Sequence, residues 1–444
     1  MVEQIIWPLS INGEFRSPFQ RGEKERALRI TFHAETLKNP QAKEKDATGA
    51  LFELARLADI DVKQVGIGDF PSISVDEKSI IYDYTSRVQL LSEGEEQDVP
   101  EFIAARDDFL AIEAHREFNR DVFITLSPRL LKHRDCFNYA NIRTPSEALK
   151  IVSLFLRSRG NWIILVRARS RVQVESSLFY RHLALYKLLN VREYLGMHHT
   201  SIGEKWNDVR KWQGSVLTKF ARALQSRDLI GTQFYIPKTR SVEDTITYHF
   251  DYLTLLLQGC LDSQAATVNQ IYQAVAKDDQ RKFQNEKFRK QLRSKGAVLL
   301  CDFLESPDFK NFDGMLRAFR NTIHDVGIPT ELELDLVQER FDLRVDEFSF
   351  ELRKGIGYSK SNCKKWGLKR QRYVSRDNKT GKMVRFYSRT IEPYTFAMML
   401  VETTAEILNT IVDLMDADQA IEDAPTITRN SIEKDILERI GLLG

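Results

Sequence analysis

Long apolar runs are what this sequence most plainly lacks. Across 444 residues no stretch comes near the roughly eighteen uninterrupted apolar residues of a membrane-spanning helix, so no membrane partner is expected. The N-terminus, MVEQIIWPLS, has neither the basic start nor the apolar core of a secretory signal, and a cytoplasmic location is expected. Cysteine is scarce. Cys136, Cys260, Cys301 and Cys363 lie far apart and form no Cys-x-x-Cys pair and no cluster with histidine at zinc spacing, so buried thiols are expected and no metal site. The glycines never reach the spacing of a P-loop or a dinucleotide-binding turn, and there is no Gly-x-Ser-x-Gly elbow. Nucleotide-driven and serine-hydrolase chemistry thus lack support, and no cofactor is expected. One-sided charge is missing overall, because 65 lysines and arginines face 63 acids for a net charge of +2. Neither an internal repeat nor a low-complexity tract is present.

What remains is an ordinary globular composition, 42% hydrophobic and 29% charged, in a chain longer than one core sustains. Over residues 1–200, ALRITFHAE, SIIYDYTSRVQL, DVFITLS and NWIILV read as strands, whereas ATGALFELARLADI and SSLFYRHLALYKLL have helical periodicity. In RTPSEALKIVSLFLRSRG, Thr144 suits the N-cap, Pro145 the first turn, Glu147 completes a capping box, and Gly160 stands where the helix should stop. The expectation is an α+β N-terminal domain, with a sensing or restraining role suggested only by analogy with two-domain effectors.

From residue 201 helical periodicity takes over. Residues 201–240 read as a connecting helix or linker, 241–418 as a mainly α helical bundle, and 419–444 as an acidic linker with a short C-terminal helix. The first long bundle helix opens on a Ser-x-x-Asp signal at Ser241, ELELDLVQERFDLRVDEFSFEL reads as a later acidic helix, and PYTFAMMLVETTAEILNTIVDLM closes the bundle. Residues 353–389 interrupt it as a basic β-hairpin, in which QRYVS and MVRFYS flank RDNKTGK.

The stretch MLRAFRNTIHDVG, Met315 to Gly327, concentrates chemistry. On a helix, Arg317, Arg320, Asn321 and His324 fall on one stripe, because seven residues span nearly two turns. Side chains lean toward the helix N-terminus, so His324 tilts back toward Arg320 and Asn321, whereas Arg317 leans away; Arg320 is the better partner. An imidazole moves protons near neutral pH, and a guanidinium offers a rigid fork of donors to a phosphate whose charge grows in the transition state. Such a pair suits RNA cleavage with the ribose 2′-hydroxyl as nucleophile. The bland alternative is a histidine favouring a helix C-terminus ahead of Gly327, with arginines that are merely solvated.

The run FRNTIHD, late in a bundle of long helices, resembles the signature of the HEPN superfamily of helical ribonucleases, in which an arginine followed by a polar residue precedes a histidine. The resemblance covers about Ser241 to Met415. It implies a dimeric or higher homo-oligomeric endoribonuclease with a composite cleft, acting as a toxin or an anti-phage effector, and a phage-derived or nucleotide trigger. It makes Arg320 the phosphate-contacting arginine, Asn321 the polar residue after it and His324 the histidine. The family usually places four to six residues between arginine and histidine. Here three separate Arg320 from His324, while Arg317 meets the longer spacing but is followed by Ala318, so both arginines stay candidates.

The basic hairpin supplies a second candidate surface. Cations from Arg353 to Arg389 outnumber the single acid Asp377, and Lys364, Lys365, Lys369, Arg370, Arg372 and Arg376 are interleaved with Trp366 and Tyr373. Cations attract phosphates and flat rings stack on unpaired bases, so RNA is the expected partner of these residues. Two rivals to the nuclease follow: a catalytically silent RNA-binding protein, and a helical scaffold. Among the other histidines, His198 and His199 do not face one way on a helix, and His182 reads as structural. Asp262 is a candidate for orienting His324.

Overall fold

The computed structural model describes residues 17–418, apart from 23–24, 35, 37–41, 67–80, 84–99, 135–136, 138–139, 167–169, 198–203, 237–238, 278–279, 326–329, 335–338, 345–365, 367 and 377–382. The described residues form two compact units: a sheet unit up to residue 176, to which residues 235–236 return, and a helical unit from residue 177 onward.

The sheet unit runs β1 (Leu28–His33), α1 (Ala42–Ala55), β2 (Ile60–Gly66), β3 (Ile81–Asp83), α2 (Pro100–Glu117), β4 (Val122–Ile124), α3 (Pro128–Lys132), β5 (Ile142–Arg143) and α4 (Pro145–Ser158). A small antiparallel hairpin, β6 (Ile163–Val166) and β7 (Ser170–Gln173), follows. Helix and strand are mixed as expected, and the five-stranded sheet is wholly parallel in the order β3-β2-β1-β4-β5. Parallel strands need crossovers, and the crossover helices cover both faces of the sheet. The LRITFH strand is therefore buried on both sides: Leu28, Ile30 and Phe32 lie on one face, Thr31 and His33 on the other. Leu110, Ala111 and Ala114 of α2 pack with Val65 and Phe123 beneath the second face. The α4 start has the anticipated form. Glu147 N–H donates to Thr144 Oγ1, Thr144 N–H donates to the Glu147 carboxylate, and Gly160 ends the helix at φ +81°.

The helical unit contains α5 (Ser176–Lys187), α6 (Leu189–Met197), α7 (Glu204–Phe234), α8 (Arg240–Tyr272), α9 (Glu286–Ser294), α10 (Val298–Glu305), α11 (Pro307–Asp325) and α12 (Pro393–Asp418). The anticipated connecting helix at 201–240 is α7, which packs along the length of α8 and so belongs to the bundle. The bundle also begins before residue 200, because Lys187 on α5 pairs with Glu402, and Asn190 on α6 bonds Asn409 and Asp413, all on α12. The N-cap of α8 is Thr239, whose hydroxyl accepts from Val242 N–H, two residues ahead of the Ser241 signal. By length and composition α12 could cross a membrane, yet 61% of its apolar window is buried in the bundle.

The acidic helix anticipated over ELELDLVQERFDLR is instead a hairpin of β8 (Thr330–Leu334) and β9 (Glu339–Arg344). Leucine and phenylalanine recur there at every second position, and strand pairing overrides the helical propensity of Glu and Leu. The expected basic hairpin forms as β10 (Lys369–Arg376) and β11 (Met383–Ile391), and the four strands make one antiparallel sheet in the order β10-β11-β9-β8. Residues 419–444 lie outside the described residues.

Candidate functional site

Helix α11 is fixed by its apolar face. Met315, Leu316 and Phe319 are fully buried, and Phe319 meets Phe250 of α8 at 5.6 Å and Phe396 of α12 at 5.7 Å between ring centroids. This packing leaves Arg317, Arg320, Asn321 and position 324 on the remaining arc. Asn321 is exposed and Arg320 half-buried. The helix carries all four within its last three turns, with Arg320 and His324 about 6 Å apart along the axis.

The two arginines are held differently. Arg317 Nε donates to Asp313 Oδ2 at 3.0 Å, one turn toward the helix N-terminus, and its Nη2 lies near Gly314. Arg317 thus leans away from position 324, as side-chain direction on a helix dictates. Asp313 is only 2% exposed; burial pushes its carboxyl above the usual range and nearby Asp262 adds to that, while Arg317 and Gln258 pull it back. Arg320 makes no hydrogen bond or ion pair with any described residue. It is the cation left open beside position 324.

Asp262, the candidate orienting acid, sits on α8 next to Gln258, whose amide reaches its Oδ1 at 3.4 Å. Its charge adds to the electrostatic surroundings of Asp313. Sequence reasoning passed over Asp313, although an acid four residues before an arginine on a helix is a legible pair. What the sequence hid was the burial of that acid.

The hairpin residues divide. Trp366 is 4% exposed, stacks on Phe312 at 6.3 Å and meets Phe396 edge-on at 5.6 Å, so its indole belongs to the aromatic core and is closed to a base. The expectation that it stacks on RNA is corrected accordingly. Lys364 and Lys365 lie outside the described residues. In the β10–β11 ladder Arg370 is opposite Arg389, Arg372 opposite Tyr387, Val374 opposite Arg385 and Arg376 opposite Met383. Paired residues share a face, so five arginine positions fall on one face of the ribbon. Lys369 and Tyr373 fall on the other face, along with the buried Thr390.

Cys260 and Cys301 are buried as expected; burial pushes the Cys260 thiol up to about 12, against the opposing pull of Lys219, which leaves it inert near neutral pH. His182 is exposed, and His198 and His199 are outside the described residues. Compared with protein-family models, with curated proteins and with solved structures, the chain matches none of them.

Proposed function

We propose that this protein is a metal-independent endoribonuclease of the HEPN type, with His324 as a proton-transfer group and Arg320 as the phosphate-binding arginine. The observation that carries the reading is the unequal treatment of the two arginines. A buried acid holds Arg317, whereas Arg320, half-buried one turn before His324, has no anion among the described residues. A cation without a counter-ion among the described residues, in a partly desolvated position, favours an anionic ligand, and a phosphodiester supplies one. Arg317, tied to Asp313, stiffens the stripe. Homodimerisation through the helical unit and a toxin or anti-phage setting rest on the family resemblance alone.

The test is incubation of the purified full chain with unstructured RNA in EDTA. The wild type is expected to cut, and His324→Ala and Arg320→Ala to lose on the order of a hundredfold or more, the usual worth of one acid–base or charge-stabilising group. Arg317→Ala should lose less than Arg320→Ala. Undiminished cutting by His324→Ala ends the proposal.

A second reading, RNA binding without cleavage, is favoured by the arginine face of the ribbon. Five arginine positions on one face of the ribbon gather positive charge along it, which a polyanion neutralises. Charge reversal by Arg370→Glu and Arg372→Glu together should flatten the dependence of log affinity on log salt by about 0.7 for each phosphate no longer neutralised. Filter binding between low and moderate salt reads this out, and an unchanged slope removes the ribbon from the interface.

A further inference from the structure

The seam between α8 and α11 can be read in register. Phe250 touches Phe319, and Gln258 lies near the Asp313 carboxyl, so the two helices run antiparallel, and moving toward the start of α8 means moving toward the end of α11. At 100° per residue, Asp251, Gln258 and Asp262 fall within a narrow arc of α8, on the same side of the seam as Asp313, Arg317, Arg320 and position 324 of α11. Asp251, one residue past Phe250, stands level with Ala318, within a turn of Arg320. His249, two residues earlier, falls on a different arc of the helix.

Asp251 is unusual among the carboxylates of this seam. It is half-buried and its Oδ1 has no hydrogen-bond partner among the described residues, whereas Asp313 is bonded to Arg317 and Asp262 to Gln258. A carboxylate oxygen that is withdrawn from water and left unbonded costs stability that any paired arrangement would recover. Such a group is a candidate for function. The geometry points to Asp251 as the second proton-transfer group of the cleft, supplied by the same protomer as His324; this rests on the ribonuclease reading above.

In the reaction the 2′-oxygen bonds to phosphorus as the bond from phosphorus to the 5′-oxygen breaks. The 2′-hydroxyl proton passes to the Asp251 carboxylate, and the His324 imidazolium gives a proton to the departing 5′-oxygen. A 2′,3′-cyclic phosphate and a 5′-hydroxyl end result, with no change of oxidation state. Burial pushes the Asp251 carboxyl up to about 6, with no contribution from Asp262, Asp313, Arg317 or Arg320, the charged groups on its side of the seam. A base titrating there is deprotonated near neutral pH yet still basic enough to accept a proton.

The experiment is the pH–rate profile of RNA cleavage by the full chain and by Asp251→Asn and Asp251→Glu. The wild type should gain activity through an acid limb near pH 6, as Asp251 deprotonates. Asp251→Asn should lose on the order of a hundredfold in kcat, with little change in KM and with that limb gone, while Asp251→Glu restores part of both. Thermal unfolding of each variant shows whether the fold is kept; Asp251→Glu carries the test if the amide variant does not fold. If Asp251→Asn cuts within about threefold of the wild type and retains the acid limb, Asp251 is structural and the ribonuclease reading stands without it. A wild type that leaves RNA intact sinks both.

Discussion

Asp228→Ala is expected to destabilise the helical unit by about 3–5 kcal/mol, the usual cost of breaking a buried ion pair from one side. Arg227 and Asp228 are neighbours on α7 with side chains only 2% and 3% exposed. Arg227 donates to Asp228 Oδ1 through Nε at 3.0 Å and Nη2 at 2.7 Å, and Tyr180 Oη donates to Oδ2 at 3.0 Å. Burial disfavours the charge on Arg227, but Asp228 beside it, together with Tyr394 and Glu402, outweighs that and holds the guanidinium above its usual range. Removing the carboxylate keeps the desolvation cost and deletes the largest compensating attraction. Truncating both partners, as in Arg227→Met with Asp228→Leu, should cost clearly less than the single change, since neither charge then needs a partner. Urea unfolding of the two variants decides the matter. A loss below about 1 kcal/mol for Asp228→Ala would show the pair to be already compensated by other neighbours.

Local signals in the sequence were reliable where local chemistry decides. The Thr144–Glu147 capping box and the β10–β11 hairpin involve residues near one another in the chain, so their hydrogen-bonding partners could be read off directly. The stripe on α11 was legible for the same reason, since helical periodicity fixes which residues are neighbours. Non-local pairing was not legible. The β8–β9 strands carry residues that favour helix when counted singly, and only cross-strand pairing settles the outcome. Trp366 looked like a base-stacking ring because its chain neighbours are lysines, but Phe312 and Phe396, from two distant helices, enclose it. Asp251 drew no notice, because its place on the seam facing the α11 stripe depends on how α8 registers against α11. The parallel order of the first sheet is hidden likewise, since β1 lies between the next strand, β2, and the distant β4.

Acid should destabilise the sheet unit through one histidine. His115 on α2 is 1% exposed, its Nδ1 is 3.1 Å from Thr31 Oγ1, its ring meets Phe123 edge-on, and its Nε2 has no hydrogen-bond partner among the described residues. Burial, with a smaller contribution from nearby Arg120, pushes its pKa down to about 3. An unfolded histidine titrates near 6.5, so between about pH 3 and 6.5 the unfolded chain holds a proton that the folded one refuses. Stability therefore rises with pH across that window and is lost as pH falls below about 6.5, at up to about 1.4 kcal/mol per pH unit. From pH 6.5 to 4.5 this amounts to about 2–3 kcal/mol, a large share of the stability of a domain this size. Asp251 works in the opposite sense, because its raised carboxyl binds a proton more readily when folded; it lies in the helical unit and acts equally in the wild type and in a His115 variant. His115→Gln keeps a polar group near Thr31 but cannot be protonated, so it should flatten the acid limb of stability by that amount while losing some packing at every pH. Denaturant unfolding of wild type and variant at pH 7.0, 5.5 and 4.5, followed by a probe in the sheet unit, measures the difference in slope. Parallel curves would mean that the histidine takes up its proton without unfolding, by admitting water or moving toward the surface.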